Sequence, residues 1–465
     1  MNKEKKLKEN IFLMALGQFS SKILVFLLVP LYTSILTPAE YGVYDILITI
    51  VSLFTPFLTL LISEAVMRFC LDKDVDSRQV LSIGVYTVII GTVVMLLVTP
   101  VFNLVETIKP YKWWITVFFV VSNLYSVLTQ YLKGVERVKL YTICGILSTV
   151  FTIFFNLLFL LVFELRLMGY IFAYVLTHIL LILIIFAKGK TYRQLLPLGE
   201  IKKGFIKEML AYSAPMLPNS ISWWINNSAD KYMLMWFVDM SAVGIYSVAH
   251  KIPSMLTVVI GIFMSAWQIS VVEDFGTEEG SRFFNKTYNR FVVLNILACA
   301  FLVTFSKPIG ALLFAREFSI AWKYSMILII GSSFHAISGF LGSVFTTVKK
   351  TKVLFHSTFC GALLNIVLNA VLISFCGIMG AVVATSASYV FTYIIRRYSA
   401  RKYIKIKTPF LKYLLSYILV LTQSFLALRD TKLTFVLTIL ILLGILLCYR
   451  QDILALISNF RKKSS

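Results

Sequence analysis

Acidic side chains are scarce in this sequence. Asp and Glu number 22 among 465 residues, against 44 Lys and Arg, and charged residues of both signs make up only 14% of the chain. Soluble domains carry about 25%. No paired-carboxylate or Ser-His-Asp constellation can be assembled on one face, which argues against acid–base or nucleophilic catalysis. Histidine is rarer still: His178, His250, His335 and His356 show no ligand spacing, so neither a metal nor a cofactor is expected. The six cysteines, Cys70, Cys144, Cys299, Cys360, Cys376 and Cys448, include no C-x-x-C pair. All but Cys70 lie in or at the edge of apolar segments and read as small buried hydrophobes. A Walker motif G-x-x-x-x-G-K-[ST] is missing, which excludes ATP hydrolysis of the P-loop kind. Long polar stretches are missing as well. The longest connection, about residues 188–211, is too short for a soluble catalytic domain. Asp72-Lys73-Asp74 resembles the acidic pair of a glycosyltransferase, but nothing around it could cradle a nucleotide, so solvated loop acids are the better reading.

What the chain has instead is apolar length. Hydrophobic residues make up 59% of it and the mean hydropathy is +0.85. Globular chains sit near 45–50% apolar, so lipid is the solvent that fits. A spanning helix needs about 20 apolar residues. Fourteen such blocks are expected, at 11–35, 43–63, 80–105, 113–132, 141–163, 168–187, 212–237, 243–272, 289–314, 324–346, 353–376, 378–396, 411–428 and 433–449. The first is too long for a signal-peptide core and no small-residue cleavage site follows it, so it reads as a span that stays attached. The fold class is an all-α, polytopic membrane protein.

The basic residues give the orientation. With the N-terminus inside, 33 Lys and Arg fall in cytoplasmic segments and 8 outside, and Lys22, Lys231 and Lys251 fall within spans. That bias follows the positive-inside rule and places both termini in the cytoplasm. It also explains the net charge of +22 without nucleic acid, which would ask for a basic patch on a soluble surface.

A repeat is visible. Tyr41-Gly42-Val43-Tyr44 opens the second span, and about 200 residues later Val243-Gly244-Ile245-Tyr246 opens the eighth. Leu167-Met168-Gly169 opens the sixth, and Ile378-Met379-Gly380 the twelfth. Two six-helix lobes, 1–200 and 201–400, are expected, with two more helices and a tail in 401–465. Such symmetry is common in transporters, whose substrate site lies between the repeats. Chance recurrence of Gly and aromatic residues at helix starts is the competing explanation.

Charge within the spans needs a reason, because it costs about 3 kcal/mol at the bilayer centre on insertion scales. Lys22 lies deep in the first span beside Gln18, Ser20 and Ser21. The seventh span carries Asn219, Ser220, Ser222, Asn226, Asn227, Ser228, Asp230 and Lys231, with Pro215 and Pro218; the eighth brings His250, Lys251 and Pro253. Asp45, Glu64 and Arg68 flank the second span. One reading has spans 1, 2, 7 and 8 lining a cationic, water-filled cavity. There Lys22, Lys251, Arg68 and Lys231 would hold an anionic group, most plausibly phosphate, with Gln18, Asn226 and Asn227 beside it. Asp230, Asp45, Glu64 and His250 are the candidates for handling a coupling proton or sodium ion. The plainer reading is that Lys231 and Lys251 snorkel, that Arg68 is an inside anchor and that Asp230 neutralises Lys231. Pro30, Pro56, Pro215, Pro218 and Pro253 fall in the same four spans and could hinge them, or simply mark irregular packing.

These features together resemble the Wzx-type oligosaccharide and polysaccharide flippases of the multidrug/oligosaccharidyl-lipid/polysaccharide exporter superfamily. The resemblance is carried by Gln18-Phe19-Ser20-Ser21-Lys22, by Leu36-Thr37-Pro38-Ala39-Glu40-Tyr41-Gly42-Val43-Tyr44, by Tyr131-Leu132-Lys133-Gly134 leading to Tyr141, and by Tyr212-Ser213-Ala214-Pro215 and Val243-Gly244-Ile245-Tyr246. It implies two six-helix lobes and a transporter, not an enzyme. The implied substrate is a polyisoprenyl-diphosphate-linked oligosaccharide, carried from inner to outer leaflet of the cytoplasmic membrane by alternating access. Surface polysaccharide synthesis (O-antigen, capsule or exopolysaccharide) would be the use, with membrane lipids and a polysaccharide polymerase as partners. A cation-coupled multidrug or metabolite exporter of the same superfamily is the alternative. A membrane glycosyltransferase or polymerase is a third reading.

Overall fold

A computed structural model describes residues 26–454, apart from residue 73, residues 271–277 and residue 349. The described secondary structure is helical, without a strand. Ten of the described helices are long and apolar enough to cross a membrane, so the chain is a multi-pass membrane protein. Fourteen crossings were expected. Most of the first lies outside the described residues, and the last, Lys432–Cys448, is a shorter apolar helix. The seventh and eighth form helices, but neither is among the ten. The described residues divide into two compact units, one ending at Ser228 and the other beginning at Ala229.

The first unit holds α1 (Val29–Ile35), α2 (Pro38–Thr59), α3 (Ile62–Cys70), α4 (Ser77–Val98), α5 (Lys112–Gly134), α6 (Val138–Leu157), α7 (Arg166–Gly189) and α8 (Lys203–Ser213). The helix α9 (Leu217–Phe237) contains the boundary. The second unit continues with α10 (Met240–Ala249), α11 (Lys251–Ser270), α12 (Glu278–Thr304), α13 (Ser306–Leu313), α14 (Ala321–Thr347), α15 (Thr351–Cys376), α16 (Ile378–Ala400), α17 (Phe410–Leu428) and α18 (Lys432–Cys448).

The two sequence repeats have matching local causes. Thr37 caps α2 and Asp239 caps α10, each five residues before the shared glycine (Gly42, Gly244). Thr37 accepts from the Glu40 amide at 3.3 Å while the Glu40 carboxylate accepts from the Thr37 amide at 2.8 Å, a reciprocal capping box. Asp239 accepts from the Ala242 amide at 2.7 Å. The Met-Gly pairs mark the fold-back of a helical hairpin. A Cβ on Gly169 would meet the Phe159 carbonyl oxygen at 3.0 Å, and one on Gly380 would overlap the Leu372 carbonyl. Only glycine lets the returning helix approach its predecessor so closely.

Pro30, Pro215, Pro218 and Pro253 coincide with breaks in otherwise helical backbone, where Leu28, Ser213, Leu217 and His250 keep right-handed helical dihedrals. A proline frees the carbonyl four residues before it, and Ser325 donates to the Ala249 carbonyl left by Pro253 at 2.8 Å. Pro56 lies well inside α2. The sharpest break follows it at Leu60 and Leu61, both left-handed (φ 49° and 54°), so that the expected span 43–63 becomes α2 turning into α3.

In the second unit α14 is central and buried along most of its length, with Gly331, Ser332, Ser333, Ser338 and Ser343 allowing close helix approach. The Ser386 hydroxyl of α16 donates to the Ile327 carbonyl at 3.0 Å. The last two helices belong to this unit. Gln423 donates to the Thr304 hydroxyl at 3.0 Å and the Thr438 carbonyl at 2.9 Å, and Tyr417 pairs with Ser333 at 2.7 Å. In the first unit the connection after α7 is held down: the Leu196 amide donates to Ser82 at 2.8 Å and the Tyr86 hydroxyl to the Leu196 carbonyl at 3.0 Å. All six cysteines are free. Cys144 and Cys299 are buried as expected, whereas Cys360, Cys376 and Cys448 are exposed on outward helix faces.

Candidate functional site

The polar residues of α9 divide at the unit boundary. Below it, Asn226 is buried and bonds back to the Ser222 carbonyl at 3.0 Å; Asn227 is exposed and bonds to the Trp223 carbonyl at 2.7 Å. Each makes a bond within its own helix. Trp224 reaches across to α2, donating to the Thr49 carbonyl at 3.0 Å and the Ser52 hydroxyl at 3.1 Å.

Beyond the boundary stands Asp230, only 2% exposed. Its Oδ2 accepts from the Tyr246 hydroxyl of α10 and, at 3.0 Å, from the Thr385 hydroxyl of α16. Its Oδ1 accepts from the Lys231 amide at 3.0 Å. The Asn365 amide of α15 donates to Thr385 at 3.3 Å, and Asn369 donates to the Asn365 carbonyl oxygen at 3.0 Å. Asn369 Oδ1 is buried with no hydrogen-bond partner among the described residues. Four helices thus bring a carboxylate, two hydroxyls and two carboxamides together inside an apolar unit. Burying a carboxylate in this way is costly unless it is hydrogen-bonded or binds a cation. Oxygen donors of this kind suit a hard cation or a proton. His250 adjoins the cluster, its ring 4.6 Å from that of Tyr246. Lys231 is half-buried next to Asp230 in sequence, and Lys251 is half-buried at the start of α11.

The remaining candidates are placed differently. Lys22 and Gln18 lie outside the described residues. Arg68 is an exposed residue of α3 whose guanidinium pairs with Asp72 at 3.0 Å; Glu64, its expected companion, is also exposed. Asp72, one turn on, neutralises Arg68. Asp45 is half-buried in α2, electrostatically coupled to Tyr41 and Tyr170. Those rings belong to a stack in which Tyr170 lies 3.7 Å from Tyr44 and 4.4 Å from Tyr32.

Thr385, Asn365, Asn369 and the role of Tyr246 were not anticipated. Asn365 and Asn369 carried a signal nonetheless: two carboxamides one helical turn apart in an otherwise apolar span.

A family model described as polysaccharide biosynthesis protein matches residues 7–268, more than half of the chain. The chain belongs to that family. A second model, MatE, matches residues 215–371. Among curated proteins the chain is similar to the probable low-salt glycan biosynthesis flippase Agl15 of Haloferax volcanii, 22% identical over 206 residues, which is 43% of each protein. The chain therefore spans less than half the length of that relative. Among solved structures it is similar to the lipid II flippase MurJ in an inward closed conformation (15% identity, 95% of this chain, 100% of that one, TM-score 0.67). It is also similar to an inward-facing multidrug resistance MATE transporter of the MOP superfamily (16% identity, 82% and 94%, TM-score 0.62). At such identity these likenesses show a shared fold. The fold is thus shared with transporters, and the family is that of a polysaccharide biosynthesis protein.

Proposed function

We propose that this protein carries a polyisoprenyl-diphosphate-linked oligosaccharide from the inner to the outer leaflet of the cytoplasmic membrane by alternating access, for surface polysaccharide synthesis. The observation that carries the reading is the polysaccharide-biosynthesis match across residues 7–268, the part of the chain that holds Lys22, Asp45, Lys251 and all of α9. The similarity to a glycan biosynthesis flippase agrees with it. Lys22, Lys251 and Lys231 supply the point charges a diphosphate needs, and Asn226, Asn227 and Gln18 are suited to sugar hydroxyls. Both termini face the cytoplasm in this reading, on the strength of the Lys and Arg bias. A polysaccharide polymerase would then act on the delivered substrate.

Among the coupling candidates, Asp230 is favoured over Asp45, Glu64 and His250. It is buried, and it accepts from the hydroxyls of Tyr246 and Thr385 on two other helices, with Asn365 of a third bonded to Thr385. A sodium ion or proton entering there would change the charge of the cluster and release or tighten Tyr246 and Thr385.

The test is a deletion strain. It should lose surface glycan and accumulate lipid-linked oligosaccharide on the cytoplasmic face, and the wild-type gene should restore export. Lys22→Ala with Lys251→Ala should not restore it at normal expression. Wild-type export by that double variant would refute the cationic-cavity reading. The MatE match over 215–371 favours a second reading, a cation-coupled exporter of small molecules. Drug efflux from vesicles, with intact surface glycan in the deletion strain, would establish that reading instead.

A further inference from the structure

The chain from the end of α16 to the start of α17 is strongly basic. Arg396, Arg397, Arg401, Lys402, Lys405, Lys407 and Lys412 fall within 17 residues that contain no Asp or Glu, and of these Arg401, Lys402, Lys405 and Lys407 lie in the connection itself. Positive-inside topology alone would accept such charges on a loosely held loop. The loop here is not loosely held. Asn285 of α12 donates to the Lys405 carbonyl at 2.8 Å and accepts from the Lys407 amide at 2.6 Å. Asn289, one turn on, donates to the Lys407 carbonyl at 3.0 Å and accepts from the Tyr413 hydroxyl at 2.9 Å. At the far end Arg397 donates to the Thr408 hydroxyl at 2.7 Å. Two carboxamides one turn apart thus grip the backbone of a short strap.

The grip fixes where the side chains go. Ile404 is buried and Ile406 half-buried, while Lys405 and Lys407 are exposed. Two ammonium groups, two residues apart in the strap, are therefore held outward beside the inward-turned isoleucines. Neither has an ion-pair partner among the described residues. On α12, Lys286 and Arg290 lie one helical turn apart, each one position beyond an asparagine of the grip. Immediately after the strap α17 begins with Phe410 and Leu411, 55% and 66% exposed, followed by exposed Leu414 and Leu415. Apolar side chains exposed on a spanning helix face acyl chains. The cationic strap therefore ends where hydrocarbon begins, at headgroup depth.

We propose that this strap, with Lys286 and Arg290 beside it, is a binding site for the phosphodiester headgroup of an anionic membrane phospholipid whose acyl chains lie against the start of α17. Lys405 and Lys407 supply the charge, and Asn285 and Asn289 position it. Clusters of Lys and Arg at the end of a spanning helix attract anionic lipid electrostatically. Preorganisation adds retention, because the cost of ordering the strap is already met in the folded protein.

The experiment uses the full chain purified in detergent, with native mass spectrometry to count retained phosphatidylglycerol and phosphatidylcholine at equal supply. Wild-type protein should retain phosphatidylglycerol preferentially. Lys405→Gln with Lys407→Gln should weaken that retention about ten-fold, in line with the contribution of basic residues at an anionic surface, and leave phosphatidylcholine unchanged. Asn285→Ala with Asn289→Ala keeps every charge but frees the strap, and should weaken it several-fold. Lys307→Gln with Lys432→Gln, which removes two charges elsewhere, should change nothing. Equal retention of the two lipids by wild-type protein would overturn the proposal, as would unchanged phosphatidylglycerol retention in either strap variant. Displacement by inorganic phosphate at concentrations equal to the lipid would overturn it too, since the acyl contact would then count for nothing. If the asparagine variant fails to fold, the exposed lysine pair decides the matter alone.

Discussion

Asp230 and Arg396 are both buried ionisable groups in the second unit, yet their surroundings differ in kind. Arg396 donates to the Ser338 carbonyl at 3.0 Å and to the hydroxyls of Ser357 and Thr358, both at 2.9 Å. It holds α14, α15 and α16 together through neutral acceptors. Replacing it by leucine would remove three buried bonds that join α14, α15 and α16, and should destabilise the protein by about 3 kcal/mol, read as a lowered thermal midpoint in detergent; a neutral or raised midpoint would contradict this role. Asp230 should behave otherwise. Asp230→Asn keeps the shape and should fold normally, while stimulation of transport by an imposed sodium or proton gradient in proteoliposomes should fall about ten-fold, inside the range of ordinary coupling free energies. Undiminished stimulation would remove Asp230 from the coupling scheme. Asp230 stood out as a candidate in the sequence because a charge in an apolar block is conspicuous. Its partners did not, because Thr385 and Asn365 lie far along the chain and hydroxyls bonded within their own helices are common in such spans. No sequence pattern sets the rotational register of one spanning helix against another.

At the level of elements, the second span was expected from residue 43, whereas α2 begins at Pro38, capped by Thr37 with Glu40 in the first turn. Thr37→Ala should cost about 1 kcal/mol by losing that cap. The break at Leu60 and Leu61 carried no turn chemistry, so the span was expected to run straight through it. Left-handed leucines persist only where packing outweighs backbone preference. The two Met-Gly hairpins make a graded prediction. Gly380→Ala places a methyl onto the Leu372 carbonyl and should destabilise strongly; Gly169→Ala meets Phe159 at 3.0 Å and should cost less; Gly145→Ala meets nothing within 4 Å and should be neutral or slightly stabilising. Thermal midpoints of the three variants falling in another order would show that the hairpins adjust more than their geometry suggests.

For the whole molecule, class and composition agreed because apolar excess and the scarcity of acid admit few other solutions. The number of crossings was less legible, since α9 is so polar that hydropathy alone would pass it over. The sidedness inferred from Lys and Arg is open to direct measurement. In a cysteine-free background, cysteines at positions 107 and 430 should react with an impermeant maleimide from outside intact cells, and cysteines at 192 and 403 only after permeabilisation. The reverse pattern would invert the topology and, with it, the direction of transport.

The unit boundary inside α9 has a practical corollary for anyone dissecting this protein. Severing the polypeptide at Gly199, the obvious surface position, would leave the Trp224 segment on the carboxy-terminal fragment although its indole donates to backbone and hydroxyl oxygens of α2 on the amino-terminal one. Neither half would be a clean module. The fragments should be unstable when produced singly and should copurify when produced together, so a two-plasmid reassembly assay would suit this chain better than isolated-lobe biochemistry.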